Sequence, residues 1–162
     1  MPVIRSTEGT AHDVQRTTFT AYANSSTGAA DLCAWSTRVP AGEPALPHRV
    51  SREEIFLVTA GTPRFTIDDE TTEPTPGDVV ITPAGSLLTI EALGDQDSII
   101  WVTTTRGLTV KLPDGTEFAP PRAQQPIPDH PRHPTSVTPP RARQSSLDRP
   151  QSPTSFATPQ GP

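Results

Sequence analysis

Gly42-Glu43-Pro44-Ala45-Leu46-Pro47-His48-Arg49-Val50-Ser51-Arg52-Glu53-Glu54-Ile55-Phe56-Leu57-Val58-Thr59-Ala60-Gly61 is the stretch on which the fold turns. Its first part is rich in proline and ends on a histidine; its second part is a β-prone apolar run closed by a glycine. His48, Val50, Arg52, Glu54, Phe56 and Val58 share one parity, so those that lie on strands project to the same side. Glu53 has the opposite parity and is expected to face outward. An imidazole and a carboxylate thus point the same way as Phe56 and Val58, into an apolar interior. Buried ionisable groups are costly unless they are paired or put to use.

Outward from this stretch the chain continues as short β-prone runs: Thr17–Ala23, Leu32–Val39, Ile55–Thr59, Arg64–Asp68, Asp78–Thr82, Leu87–Ala92, Ser98–Thr105 and Leu108–Leu112. Turn residues separate them, as in Ser25-Ser26-Thr27-Gly28, Pro74-Thr75-Pro76-Gly77, Pro83-Ala84-Gly85 and Pro113-Asp114-Gly115. No segment carries the period of an amphipathic helix. Strands at roughly ten-residue spacing predict an all-β sandwich or small barrel. Trp35, Phe56, Phe65 and Trp101 all fall on these runs and are expected to fill the core. Asp68-Asp69-Glu70 reads as a solvated turn without a calcium-binding pattern. Arg52 and Arg64 are expected at the surface, and Arg106 lies past a strand end.

Two glycine-anchored patterns then resemble the cupin family. The first cupin motif, G-x5-H-x-H-x3-E-x6-G, is matched by Gly42, His48, Glu54 and Gly61 at every spacing, with Val50 where the second histidine belongs. The second, G-x5-P-x-G-x2-H-x3-N, is matched by Gly77, Pro83 and Gly85, with Leu88 in place of its histidine and Ala92 in place of its asparagine. The resemblance covers about residues 30–105 and implies a cupin-type jelly-roll β-barrel with a pocket inside, where family members hold a divalent metal on three histidines and a carboxylate.

By that resemblance His48 and Glu54 remain of the ligand set, while Val50 and Leu88 cannot ligate anything. A catalytic metal site normally needs about three protein ligands. The expectation is therefore a barrel pocket that binds a small organic molecule without a firmly held metal. Its chemistry would be proton transfer, as in isomerisation, cyclisation or elimination, with His48 as acid/base and Glu54 orienting it and favouring its charged form. Trp35, Val50, Phe56 and Leu88 would line the substrate pocket. One alternative is an altered metal site, with iron, manganese, zinc or nickel held weakly by His48 and Glu54 together with Cys33; another is a non-catalytic ligand-binding or accessory cupin with His48 serving only the structure.

Composition bounds the rest. Hydrophobic residues make up 32% of the 162 and prolines number 21, against roughly 45–50% and about 5% in an ordinary domain. Twelve of those prolines fall in residues 119–162, which also carry five arginines and two aspartates. The expected organisation is an N-terminal arm over 1–15, a barrel over 16–118 and a disordered tail over 119–162 whose arginines are solvated. The tail's net charge of +3 leaves −8 on the body out of −5 overall, which argues against a nucleic-acid surface. The lone Cys33 excludes an internal disulfide framework. With neither a leader pattern nor a membrane-length apolar run, the chain is expected to be cytoplasmic. The resemblance also implies a homodimer through edge strands, and the use of arginine over lysine hints at a bacterial source.

Overall fold

A computed structural model describes residues 2–123. Twelve strands form two six-stranded antiparallel sheets. The first has the order β1 (Thr10–Val14), β2 (Thr17–Ala23), β3 (Leu32–Val39), β10 (Ser98–Thr105), β5 (Glu54–Ala60), β8 (Val79–Thr82). The second runs β12 (Glu117–Phe118), β11 (Val110–Lys111), β4 (His48–Val50), β9 (Leu87–Ala92), β6 (Pro63–Ile67), β7 (Glu70–Thr72). This is the expected all-β jelly roll. Among the described residues no helix is long and apolar enough to cross a membrane.

Period-two burial accounts for the form of the strands. On β5, Glu54, Phe56 and Val58 are buried while Ile55, Leu57 and Thr59 are exposed. On β10, Ser98, Ile100, Val102 and Thr104 point inward. The core joins Trp35, Val50, Phe56, Val58, Phe65, Leu88, Ile100, Val102 and Leu108. Burying each large apolar side chain contributes about 1.5–3 kcal/mol. Phe56 and Phe65 meet edge to face with ring centroids 5.3 Å apart, joining the two sheets at the centre. At the β5–β6 turn Gly61 has φ +79°, and a Cβ there would stand 2.6 Å from the Asp97 carbonyl oxygen. Only glycine meets both demands, which accounts physically for the last position of the first motif.

Three expectations about placement change. Trp101 is not a core residue: it sits on the outward parity of β10, half-buried, and stacks on Tyr22 at 5.6 Å. The expected N-terminal arm contains β1, which pairs with β2 from Thr10↔Ala21 to Val14↔Thr17. Its polar composition, alternating around a half-buried His12, concealed an edge strand.

The third change matters most. The folded chain does not stop at Phe118 but continues through a 3-10 turn, Pro121–Ala123. Pro120, Arg122 and Ala123 are buried, and the Ala123 carbonyl accepts a hydrogen bond from the Cys33 thiol at 3.1 Å. Proline density marked the segment as unable to fold, yet these prolines shape a turn that needs few ladder N–H groups. The expected tail beyond it, with His130, His133 and its other arginines, lies outside the described residues.

Candidate functional site

A cavity of about 110 Å³ lies inside the barrel. Its walls include Trp35, Phe56, Leu88, Ile90 and Val102, and three ionisable side chains enter among them: His48, Glu54 and Arg122. Each arrives by a different route. β4 and β5 deliver His48 and Glu54 through strand parity, and the turn Pro121–Ala123 delivers Arg122 from a distant part of the sequence. Glu43 also borders the cavity and is ion-paired with Arg16.

His48 Nδ1 lies 3.0 Å from the Leu46 carbonyl oxygen. A carbonyl only accepts, so Nδ1–H donates and the neutral ring keeps its lone pair on Nε2. Burial holds His48 below the ordinary imidazole range; the Leu46 bond opposes this and the Arg122 charge adds to it. The expectation that Glu54 orients His48 and favours its charged form is therefore corrected. The Leu46 carbonyl orients the ring, and the neutral form is favoured.

Glu54 is 3% exposed. Among the described residues its carboxylate makes no hydrogen bond and no ion pair within 4 Å. Burial pushes its pKa up to about 7, although the Arg122 charge pulls in the other direction. Arg122 is drawn down to about 10 by burial, opposed by the Glu54 charge, and so stays protonated at neutral pH. Its guanidinium carbon stands 3.8 Å from the Phe19 ring centroid and 5.1 Å from that of Trp35. The cavity thus holds a neutral base, a carboxyl near its midpoint and a fixed cation.

Residues 35–104 match the family model of the cupin domain. The barrel has the cupin fold. Solved cupin-fold structures align over the same barrel. The polyketide cyclase RemF from Streptomyces resistomycificus is 20% identical, covering 65% of this chain and 79% of its own, with a TM-score of 0.59. KdgF from a Halomonas species is 21% identical, covering 63% of this chain and 92% of its own, with a TM-score of 0.55. A sugar phosphate isomerase of the cupin superfamily from Silicibacter pomeroyi is 19% identical, covering 65% and 74%, with a TM-score of 0.52. At such identities the likeness is one of fold. No curated protein matches the chain.

The donor set of this barrel does not fit the divalent metal that the cupin resemblance implies. His48 faces Leu88 directly across the β4–β9 ladder, so an aliphatic side chain stands opposite the imidazole. Among the described residues no three of His, Cys, Asp and Glu come together as a ligand group. Arg122 brings a positive charge to the site, which disfavours a divalent cation beside it.

Of the sequence-derived site residues, the barrel brings together His48, Glu54, Trp35, Phe56 and Leu88. Val50 is fully buried in the core and is not among the residues lining the cavity. Cys33 does not join either: burial raises its thiol, and its Sγ is spent on the Ala123 carbonyl. Arg122 is the residue that sequence reasoning missed, by counting it with the tail's solvated arginines. One signal pointed toward it, namely that a carboxylate aimed into an apolar barrel calls for a cation, but nothing local says which of the arginines supplies it.

Proposed function

We propose that this cupin binds a small organic molecule in its barrel and relocates a proton on it without a metal, in an isomerisation, cyclisation or elimination. The observation that carries the reading is the convergence of His48, Glu54 and Arg122 on one apolar cavity. A neutral imidazole with Nε2 free is a general base, and a carboxyl whose pKa is near 7 is an acid that can also be a base at working pH. In this reading Nε2 of His48 takes a proton from a carbon next to a carbonyl, and the electron pair moves onto the carbonyl oxygen. Arg122 stabilises that charge. Glu54 returns a proton to the new position, and the apolar walls keep water from quenching the intermediate. The names of two fold neighbours, a polyketide cyclase and a sugar phosphate isomerase, belong to reaction types that turn on such steps.

The test is exchange of acidic C–H protons in deuterated water, followed by nuclear magnetic resonance with a panel of small aryl β-dicarbonyl compounds. Wild-type protein is expected to accelerate exchange of at least one compound, and His48→Ala to slow it by about 10²-fold or more. Equal acceleration by the His48→Ala protein removes the base assignment.

A second copy of the chain is the proposed partner. β8 is the outer strand of the first sheet, and Ile55, Leu57, Val79 and Ile81 are exposed on adjoining strands, with Ile55 opposite Ile81 and Leu57 opposite Val79. An apolar edge of this kind is normally covered. Sedimentation is expected to give a dimer, and Ile81→Glu a monomer.

A further inference from the structure

We infer that the C-terminal turn equips the barrel with a binding site for a small organic monoanion, a carboxylate or enolate on a flat apolar body, seated against the Arg122 guanidinium. Arg122 is 8% exposed, and its Nε is buried without a hydrogen-bond partner. Among the described residues no carboxylate lies within 4 Å of its guanidinium. A buried cation in that condition favours an anion beside it.

The neighbouring charges do not supply that anion. Glu43 is engaged with Arg16 at the cavity border. Glu54 acts on Arg122 through space, but its own burial favours the protonated form. His48 is held neutral. The cavity therefore carries a net positive charge that approaches one as pH falls below neutral, and a ligand with one negative charge completes it. A dianion such as a phosphate monoester would instead bring a second negative charge beside the buried carboxyl of Glu54.

Shape agrees with charge. The guanidinium is a planar fork that meets a carboxylate with two parallel hydrogen bonds. Its contact with the Phe19 ring face, 3.8 Å from the centroid, holds it against the cavity wall. Beyond it the walls are Phe56, Leu88, Ile90 and Val102. The volume, about 110 Å³, falls a little below the ~150 Å³ of an apolar cavity known to take benzene. A single ring is therefore near the upper limit of what the cavity admits, with its charged group toward the turn.

The inference rests on the proposed function only in taking this cavity as the place where a ligand goes. Its test is calorimetric titration of the full chain with benzoate and benzamide at about pH 6.5, where benzoate is fully ionised. Benzoate is expected to bind at least about tenfold more tightly than benzamide, and Arg122→Met to bring that ratio close to one. If Arg122→Met does not fold, Arg122→Lys carries the test: it keeps the charge and loses the fork, so the ratio should fall severalfold, and an unchanged ratio overturns the assignment. Equal binding of the two probes by wild-type protein overturns the anion site and leaves proton transfer standing. Binding of neither overturns both. A benzoate preference that persists while His48→Ala loses no exchange activity upholds the site and removes the reaction.

Discussion

Strand β5 and the turn Pro121–Ala123 each place one charged side chain in the same barrel, by opposite means. β5 is hydrogen-bonded to β10 on one side and β8 on the other, in regular register from Glu54 to Val58, and Glu54 is inside because its parity with Phe56 and Val58 leaves it nowhere else to go. The turn has no ladder. Arg122 is inside because Phe19 and Trp35 offer ring faces to its guanidinium, and Pro120 and Ala123 are buried around it. A strand commits a charged residue through its backbone, whereas a turn must hold one through side-chain contacts, so the second arrangement is easier to undo.

The largest effect should come from removing the turn. A chain ending at Phe118, compared with one ending at Ala123, loses the burial of Pro120 and Ala123, the Cys33 hydrogen bond and the stacked guanidinium. A destabilisation of about 3 kcal/mol is expected, read as a fall in Tm on the order of 10 °C. Equal Tm values for the two chains would show that the turn is only laid against the barrel.

Next comes the carboxyl delivered by the strand. Glu54 rises from 4.5 to about 7 on folding, so between those pH values the folded chain holds a proton that the unfolded chain has released. Its contribution to stability is present below about pH 4.5 and lost as pH rises through 7, amounting to about 3 kcal/mol. His48 acts with the opposite sign, since its folded value is depressed: its contribution is present above about 6.5 and lost as pH falls below it. Comparing wild type with Glu54→Gln at each pH cancels the His48 contribution. The variant should gain on wild type steadily from about pH 4.5 to 7.5 in denaturant titrations, and a pH-independent difference would refute the buried acid.

Smaller still is the stacking that positions Arg122. Phe19→Leu keeps apolar bulk but removes the ring face, and should cost about 1 kcal/mol while weakening benzoate binding more than benzamide binding. An equal loss for both probes would mean that the ring shapes the cavity without placing the cation. At the bottom of the scale is Arg64, bonded to Glu73 on the outer surface at 2.8 Å with both side chains well exposed. Arg64→Ala should change stability by less than about 0.5 kcal/mol, which would set the two inward charges apart from an ordinary surface pair.

Legibility follows the same division. β2, β3, β9 and β10 fall where the β-prone runs lie, because their apolar and β-branched residues recur with the period of two that a half-buried strand requires and a helix does not. β1, β7 and β12 are short or polar edge strands, stabilised by a neighbour more than by their own composition, and they were not legible. In the site, the inward course of His48 and Glu54 was readable, but their relation to each other was not. His48 bonds to the carbonyl of Leu46, two residues back, through loop geometry that no side-chain pattern encodes.

By itself, the order of residues determined an all-β barrel, the inward parity of His48 and Glu54, and the loss of two imidazole positions to Val50 and Leu88. These are local properties, since a side-chain period of two and the identity of a residue do not depend on what lies far along the chain. Only the tertiary structure decided what kind of site these residues make. It brought Ala123 to Cys33 across 90 positions, and with Ala123 came Arg122, a residue that composition assigned to a solvated tail. Whether a charge is solvated or buried depends on which surfaces fold around it, and a linear chain holds that information only once it has closed on itself.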